Sequence, residues 1–239
     1  MKDSYFILFL IVLSSCEPDL VEDNRRTIVE VKITDSEQEA LPNINVAYGV
    51  SEREIFIQDG DQINQRFQAV LGQDISNTSG DVSFISLVAK PQFNTQLIII
   101  NAESPFFNLV ENPTYEKIIY KLNDAVDGSI RLPETTLRKK ATVGFSIERL
   151  SAANTTLFYD LSFKRTTTVV DFSSGERLED DRSFGELTPT IASDSRTLQI
   201  PQGTSLLLTY SIFNGQELLE QGSEEYLINE STENFEFNF

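Results

Sequence analysis

Apolar and polar residues alternate at every second position through much of this chain. Between Thr27 and Thr34, Val29, Val31 and Ile33 share one side, and Glu30 and Lys32 the other. From Pro42 to Gly49, Ile44, Val46 and Tyr48 alternate with Asn43, Asn45 and Ala47. From Ala141 to Arg149, Val143, Phe145 and Ile147 alternate with Gly144, Ser146 and Glu148. From Thr156 to Lys164, Leu157, Tyr159, Leu161 and Phe163 oppose Asp160, Ser162 and Lys164. Phe235, Phe237 and Phe239 alternate with Asn234, Glu236 and Asn238. A period of two puts one side of a strand in a core and the other in water. Gln96–Ile100 and Ser205–Phe213 are apolar enough to be expected buried on both faces, or nearly so.

Short strands separated by Gly, Asn and Asp predict an all-β chain of two antiparallel β-sandwich domains. A composition shift at the basic triplet Arg138, Lys139 and Lys140 places the boundary near 132–140. The expected domains are 27–135 and 138–239, both within the usual size range. One segment has two readings. Ile63, Phe67, Val70 and Leu71 fall at helical spacing, with Asp61 and Gly72 as candidate caps, so 61–72 reads equally as a helix or a hairpin excursion.

The N-terminus is of another kind. Tyr5–Leu13 is an uncharged apolar run followed by Ser14, Ser15 and Cys16. Its nine residues are too few for the ~20 that a transmembrane helix needs. The pattern is that of a cleaved secretory signal peptide, residues 1–15. Leu13-Ser14-Ser15-Cys16 resembles a bacterial lipobox. That resemblance implies cleavage before Cys16 and lipid attachment to it, an outer-membrane location, and a stable tether through several acyl chains. A cleaved signal without lipid is the alternative. Residues 16–26 then form an acidic tether carrying Glu17, Asp19, Glu22 and Asp23. Acidic residues directly behind the cysteine resemble the export tag of Bacteroidetes-type surface lipoproteins, which favours the surface-exposed face over the periplasmic one.

Composition narrows the chemistry. The net charge is −18 at pH 7, with 37 acidic residues, so phosphate backbones are repelled and nucleic acid is excluded as a partner. With 40% hydrophobic residues and 17 Phe, each half has the material for a core. There is no His, and the single Cys is Cys16. Ser-His-Asp and Cys-His catalysis and zinc sites built on imidazole or thiolate are therefore absent. There is also no Trp, which weakens a carbohydrate-stacking platform without excluding one.

Val29–Asp35, then Ala40–Val46 with Pro42 opening a strand, and Asn77-Thr78-Ser79-Gly80-Asp81-Val82-Ser83-Phe84 resemble carboxypeptidase-regulatory-like domains, whose architecture is transthyretin-like (prealbumin-like, related in layout to Ig-like sandwiches). Asn43 stands where that family has glycine, and 51–75 is longer than usual. The resemblance covers about 100 residues of the first domain. It implies an accessory or adhesive module and brings no catalytic residues.

Candidate sites are sparse. Asp59-Gly60-Asp61, and Asp124 with Asp127-Gly128, have pieces of a calcium loop but lack the longer acidic series with a terminal Glu, so turns are the expected role and no metal site is assigned. Glu179-Asp180-Asp181 is expected to be a solvated loop face. Leu132-Pro133-Glu134-Thr135-Thr136 lacks the glycine and membrane tail of a sortase signal. Phe235–Phe239 resembles the last strand of an outer-membrane barrel, but a closing sandwich strand is the simpler reading. The expectation is a lipid-anchored extracytoplasmic binding or scaffolding protein with no catalytic residue and no cofactor. Cys16 is its membrane attachment, and a protein or glycan at the cell surface its partner. The competing readings are a carboxylate-based or calcium-dependent hydrolase and an accessory subunit of an outer-membrane uptake or surface assembly.

Overall fold

The computed structural model describes residues 21–51, 67–90, 95–104, 108–122, 128–150 and 154–239. Cys16, the signal segment, residues 61–66, the Asp59-Gly60-Asp61 turn and Asp124 with Asp127 lie outside the described residues. Among those described, every regular element is a strand, fifteen in all.

The first core lies between two sheets. One is β4(Asp81–Ala89)-β1(Val21–Asp35)-β7(Ser129–Arg131), with β8(Thr135–Leu137) also on β1. The other contributes β6(Lys117–Leu122), β5(Gln96–Ile100), β2(Asn45–Val50) and β3(Ala69–Ile75). Val29, Val31 and Ile33 of β1 meet Ile98 and Ile100 of β5 and Ile118 and Tyr120 of β6. Leu97 and Ile99 face the opposite way, into a smaller cluster with Ala47, Leu109 and Ile119. β5 is thus buried on both faces, as its unbroken apolar run implies.

The second core lies between β12(Ser193–Pro201)-β9(Lys140–Glu148)-β15(Thr232–Asn238) and a sheet of β11(Arg177–Leu187), β10(Thr155–Asp171), β13(Thr204–Asn214) and β14(Glu217–Ile228). The alternating residues of β9 and β10 supply Val143, Phe145, Ile147, Leu157, Tyr159 and Leu161. Phe237 is buried there, with Phe235 and Phe239 packed against the same cluster, so the C-terminal aromatics close a sandwich. Most strand pairs are antiparallel, while β1–β7, β1–β8, β6–β10 and β9–β15 run parallel.

β10 belongs to both halves. Its residues 155–162 pair with β13, and its residues 167–171 pair with β6. Seventeen residues at about 3.3 Å each make a strand of about 55 Å. Val170 enters the first core, 6% exposed, and Val169 the smaller cluster beside it. One eight-stranded sheet therefore runs through both sandwiches.

Two sequence expectations change, and one open reading narrows. Of the helix and hairpin readings of 61–72, Val70 and Leu71 follow the second, lying in β3. Val70 packs on the smaller cluster and Leu71 on the first core, so these adjacent strand residues serve opposite faces of the sheet. Ser205–Phe213 is buried on one face only. Leu206 and Leu208 are in the core, while Leu207 is 38% exposed. Finally, β1 begins at Val21, which pairs with Ala89, so the later part of the segment read as a tether already belongs to a sheet. Pro42 precedes β2 by three residues, and Gly80 takes the turn before β4 at φ +77°, where an added Cβ would strike the Ile33 carbonyl oxygen.

Candidate functional site

Two places draw attention: the charged joint between the halves and the outer face of the second sheet. At the joint, Glu116 is 1% exposed just before β6. Its Oε1 accepts hydrogen bonds from the Arg138 backbone N (2.9 Å) and Nε (3.0 Å), and its Oε2 accepts one from Nη2 (2.8 Å). This two-pronged geometry suits guanidinium and carboxylate. Arg138 Nη2 also reaches Glu179 Oε2 at 3.3 Å. Glu179 binds Lys164 (3.1 Å) and Arg177 (3.6 Å), and Arg165, 6% exposed, holds Asp181 at 3.1 Å. Glu179-Asp180-Asp181 is therefore not a solvated run. Only Asp180 is open to water, because all three lie in β11, whose alternation turns Glu179 and Asp181 to one side and Asp180 to the other.

Glu111 sits beside this clamp, 2.8 Å from Lys117 and also bonded to Lys140. Burial alone would raise its pKa, but hydrogen bonds from the two ammonium groups outweigh that and hold the carboxyl below the ordinary 4.5. Glu179 is lowered in the same way, the Lys164 hydrogen bond and the Arg138 charge overcoming its burial. Folded-state values below the unfolded one mean that this stabilisation is complete above about 4.5 and lost as pH falls through the folded-state values. Glu111→Gln is expected to flatten the loss of thermal stability below pH 4.5, read as Tm against pH. A slope equal to wild type would show that the Lys117–Glu111–Lys140 bridge is not part of the acid response.

Asp35, Glu37 and Glu39 bring carboxylate oxygens within 4.8 Å of one another. Asp35 Oδ1 accepts the backbone N–H groups of Glu37 (2.9 Å) and Glu39 (3.0 Å), which is a turn stabilising itself. Tyr159 donates its hydroxyl to Asp194, which Arg196 also binds at 2.8 Å. Burial, with that hydrogen bond, pushes the Tyr159 pKa up and keeps the phenol protonated.

The outer face of β11-β10-β13-β14 is a grid in register. One row reads Glu186, Phe158, Ser211 and Gln221. The next reads Phe184, Asp160, Thr209 and Ser223, and the third Arg182, Ser162, Leu207 and Glu225. Phe158 is 46% exposed and Phe184 79%. Phe213 packs edge-on against Phe158, with ring centroids 5.8 Å apart at 80°. A trough of about 730 Å³ crosses this face between Phe158 and Ser223. Its floor is kept thin by glycine: Tyr210 lies over Gly222 on the inner side, where a Cβ would come within 2.6 Å of its hydroxyl. Asp160 Oδ2 pairs with Arg182 at 2.6 Å, while Asp160 Oδ1 is buried without a hydrogen-bond partner. Among the residues lining the trough Asp160 is the one carboxylate, whereas hydrolysis by a carboxylate pair needs two.

Sequence reasoning assigned neither place. Arg138 was legible only as part of a basic triplet, and Glu116 carried no signal at all. Phe158 and Phe184 stand at polar-side positions of their strands, a mismatch visible in the sequence once the register is known.

No family model matches the chain, and no curated protein does. Among solved structures, the Bacillus anthracis TIE protein is similar at 11% identity over 90% of this chain, with a TM-score of 0.30. The chain spans 34% of that protein's length. A minor pilin of Streptococcus agalactiae is similar at 10% identity over 89% of this chain and 94% of its own, with a TM-score of 0.30. A candidate adhesin from Bacteroides ovatus is similar at 9% identity over 89% and 87%, with a TM-score of 0.29. At TM-scores this low the likeness carries no argument, and function rests on the residues of this chain.

Proposed function

We propose that the protein is a lipid-anchored, extracytoplasmic binding or scaffolding protein that performs no chemistry of its own. The observation that carries this reading is strand β10, whose two ends pair into different sandwiches. A shared strand and a buried ion pair resist swivelling between the halves, unlike a flexible linker. Such a stiffened body suits a protein held at one end and presenting a surface at the other. The lipobox-like Leu13-Ser14-Ser15-Cys16 supplies the held end, and Glu17, Asp19, Glu22 and Asp23 behind it favour the outward face of an outer membrane. A sequence without His, whose only thiol is committed to lipid, favours binding over catalysis.

The test is metabolic labelling with a palmitate analogue. Wild type is expected to take up label, and Cys16→Ala to take up none and to keep its precursor mobility. Unlabelled wild type whose mobility does not change with globomycin would overturn the anchor.

A further inference from the structure

We propose that the trough on the outer face of β11-β10-β13-β14 binds a neutral oligosaccharide. This names a ligand class for the binding role above and rests on that reading only for the place where the ligand is met.

A sugar presents two chemistries at once: hydroxyls that both donate and accept hydrogen bonds, and apolar C–H faces. The trough offers the complement of each. Thr209, Ser211, Gln221 and Ser223 project hydroxyl and amide groups that make no side-chain hydrogen bond among the described residues. Each can donate and accept. Asp160 also lines the trough, with its Oδ1 shielded from solvent and its Oδ2 held by the Arg182 guanidinium at 2.6 Å, which fixes the carboxylate. A carboxylate oxygen has more than one lone pair, so Oδ2 can accept a donating hydroxyl beside Arg182.

The apolar side comes from Phe158, which lines the trough, and Phe184 extends it one strand beyond the lining, at the diagonal position about 7–8 Å away on β11. Phe213 fixes the Phe158 ring from the side. About 730 Å³ lies within the range of small-ligand sites, and the open form suits a chain lying across strands more than a compact cofactor. Because the floor is a ladder of three paired strands, β10, β13 and β14, its groups are positioned before any ligand arrives, which lowers the ordering cost of binding.

Charge selects the class. The chain carries −18, and Glu186 and Glu225 stand at the ends of the rows flanking the trough, so an acidic glycan is repelled. An apolar peptide would strand the hydroxyls and amide of the floor, whereas a neutral sugar matches them.

The experiment uses the full-length protein as the cells process it, in a sugar-free zwitterionic detergent. It is applied to immobilised hexasaccharides of glucose, mannose, galactose and xylose, with hexagalacturonate as the acidic control. At least one neutral hexasaccharide is expected to retain the protein, and the acidic one not. Asp160→Asn and Phe158→Ala should each weaken retention about tenfold or more, the size expected when one hydrogen-bond partner or stacking ring is lost. Gln221→Ala, on an exposed edge strand, should weaken it with no change in Tm and so separates binding from folding. Retention by none of the neutral sugars, retention equal in Gln221→Ala and wild type, or retention by the acidic control alone overturns the proposal. Palmitate labelling in the same cells keeps the two readings distinct. Labelled protein that binds no sugar overturns only the trough, and unlabelled protein that binds overturns only the anchor.

Discussion

Replacing Arg138 with alanine is expected to cost about 3–5 kcal/mol of unfolding free energy, because it leaves Glu116 buried without its cation. Glu116 keeps one hydrogen bond, from the residue 138 backbone N–H, which is too little to solvate a carboxylate that is 1% exposed. The loss should appear as a lower urea midpoint at unchanged slope. Arg138→Lys should recover only part of it, since an ammonium cannot fill both oxygens with one planar fork. Arg138→Met combined with Glu116→Met should recover most of it, because well-packed apolar pairs replace buried ion pairs at little cost. A change below about 1 kcal/mol for the alanine variant would place the pair among those that contribute nothing measurable.

The second large effect comes from Val170. Val170→Asp introduces an unpaired carboxylate at a site that is 6% exposed and should cost at least about 3 kcal/mol. Its location is what makes it informative. The residue is carried by β10, which opens in the second sandwich, yet its side chain lies among Ile98, Ile118 and Tyr120 of the first. Amide hydrogen exchange should show protection falling in β5 and β6 more than in β9 and β12. Loss confined to residues 141–237 would mean that the far end of β10 does not help hold the first core.

These two sites show where the sequence was readable. Strands with strict alternation, such as Val143–Ile147 and Leu157–Leu161, were legible because one buried side suffices to define them. Leu206, Leu207 and Leu208 were not, since three consecutive leucines fit a doubly buried strand as well as a half-buried one, and the outer Leu207 is resolved only by the neighbouring register. Val70 and Leu71 matched a helix because, with Ile63 and Phe67 before β3, two adjacent apolar residues on opposite faces of a strand complete a helical spacing by accident. The parallel pairing of β6 with β10 joins residues some fifty positions apart, and no local pattern encodes it. The buried ion pair was hidden for a similar reason: Glu116 and Arg138 look like any surface charges until the chain brings them together. The trough was half visible, in that Phe158 and Phe184 break the polar side of their strands, but its hydroxyls come from two further strands.

One edge of the large sheet ends in β14, whose sequence ELLEQGSEEYLI carries Glu217, Glu220, Glu224 and Glu225. A long strand with an unpaired edge is a template for zippering onto its neighbours, and clustered charge is a common safeguard. With the proposed lipid anchor in place the hazard would be greater, because attachment would confine copies to a thin layer and raise their local concentration. Four carboxylates along the exposed rim make every encounter between identical edges a meeting of like charges. Copies on a crowded membrane would remain separate posts instead of fusing into a continuous sheet, and each would keep its outer face clear.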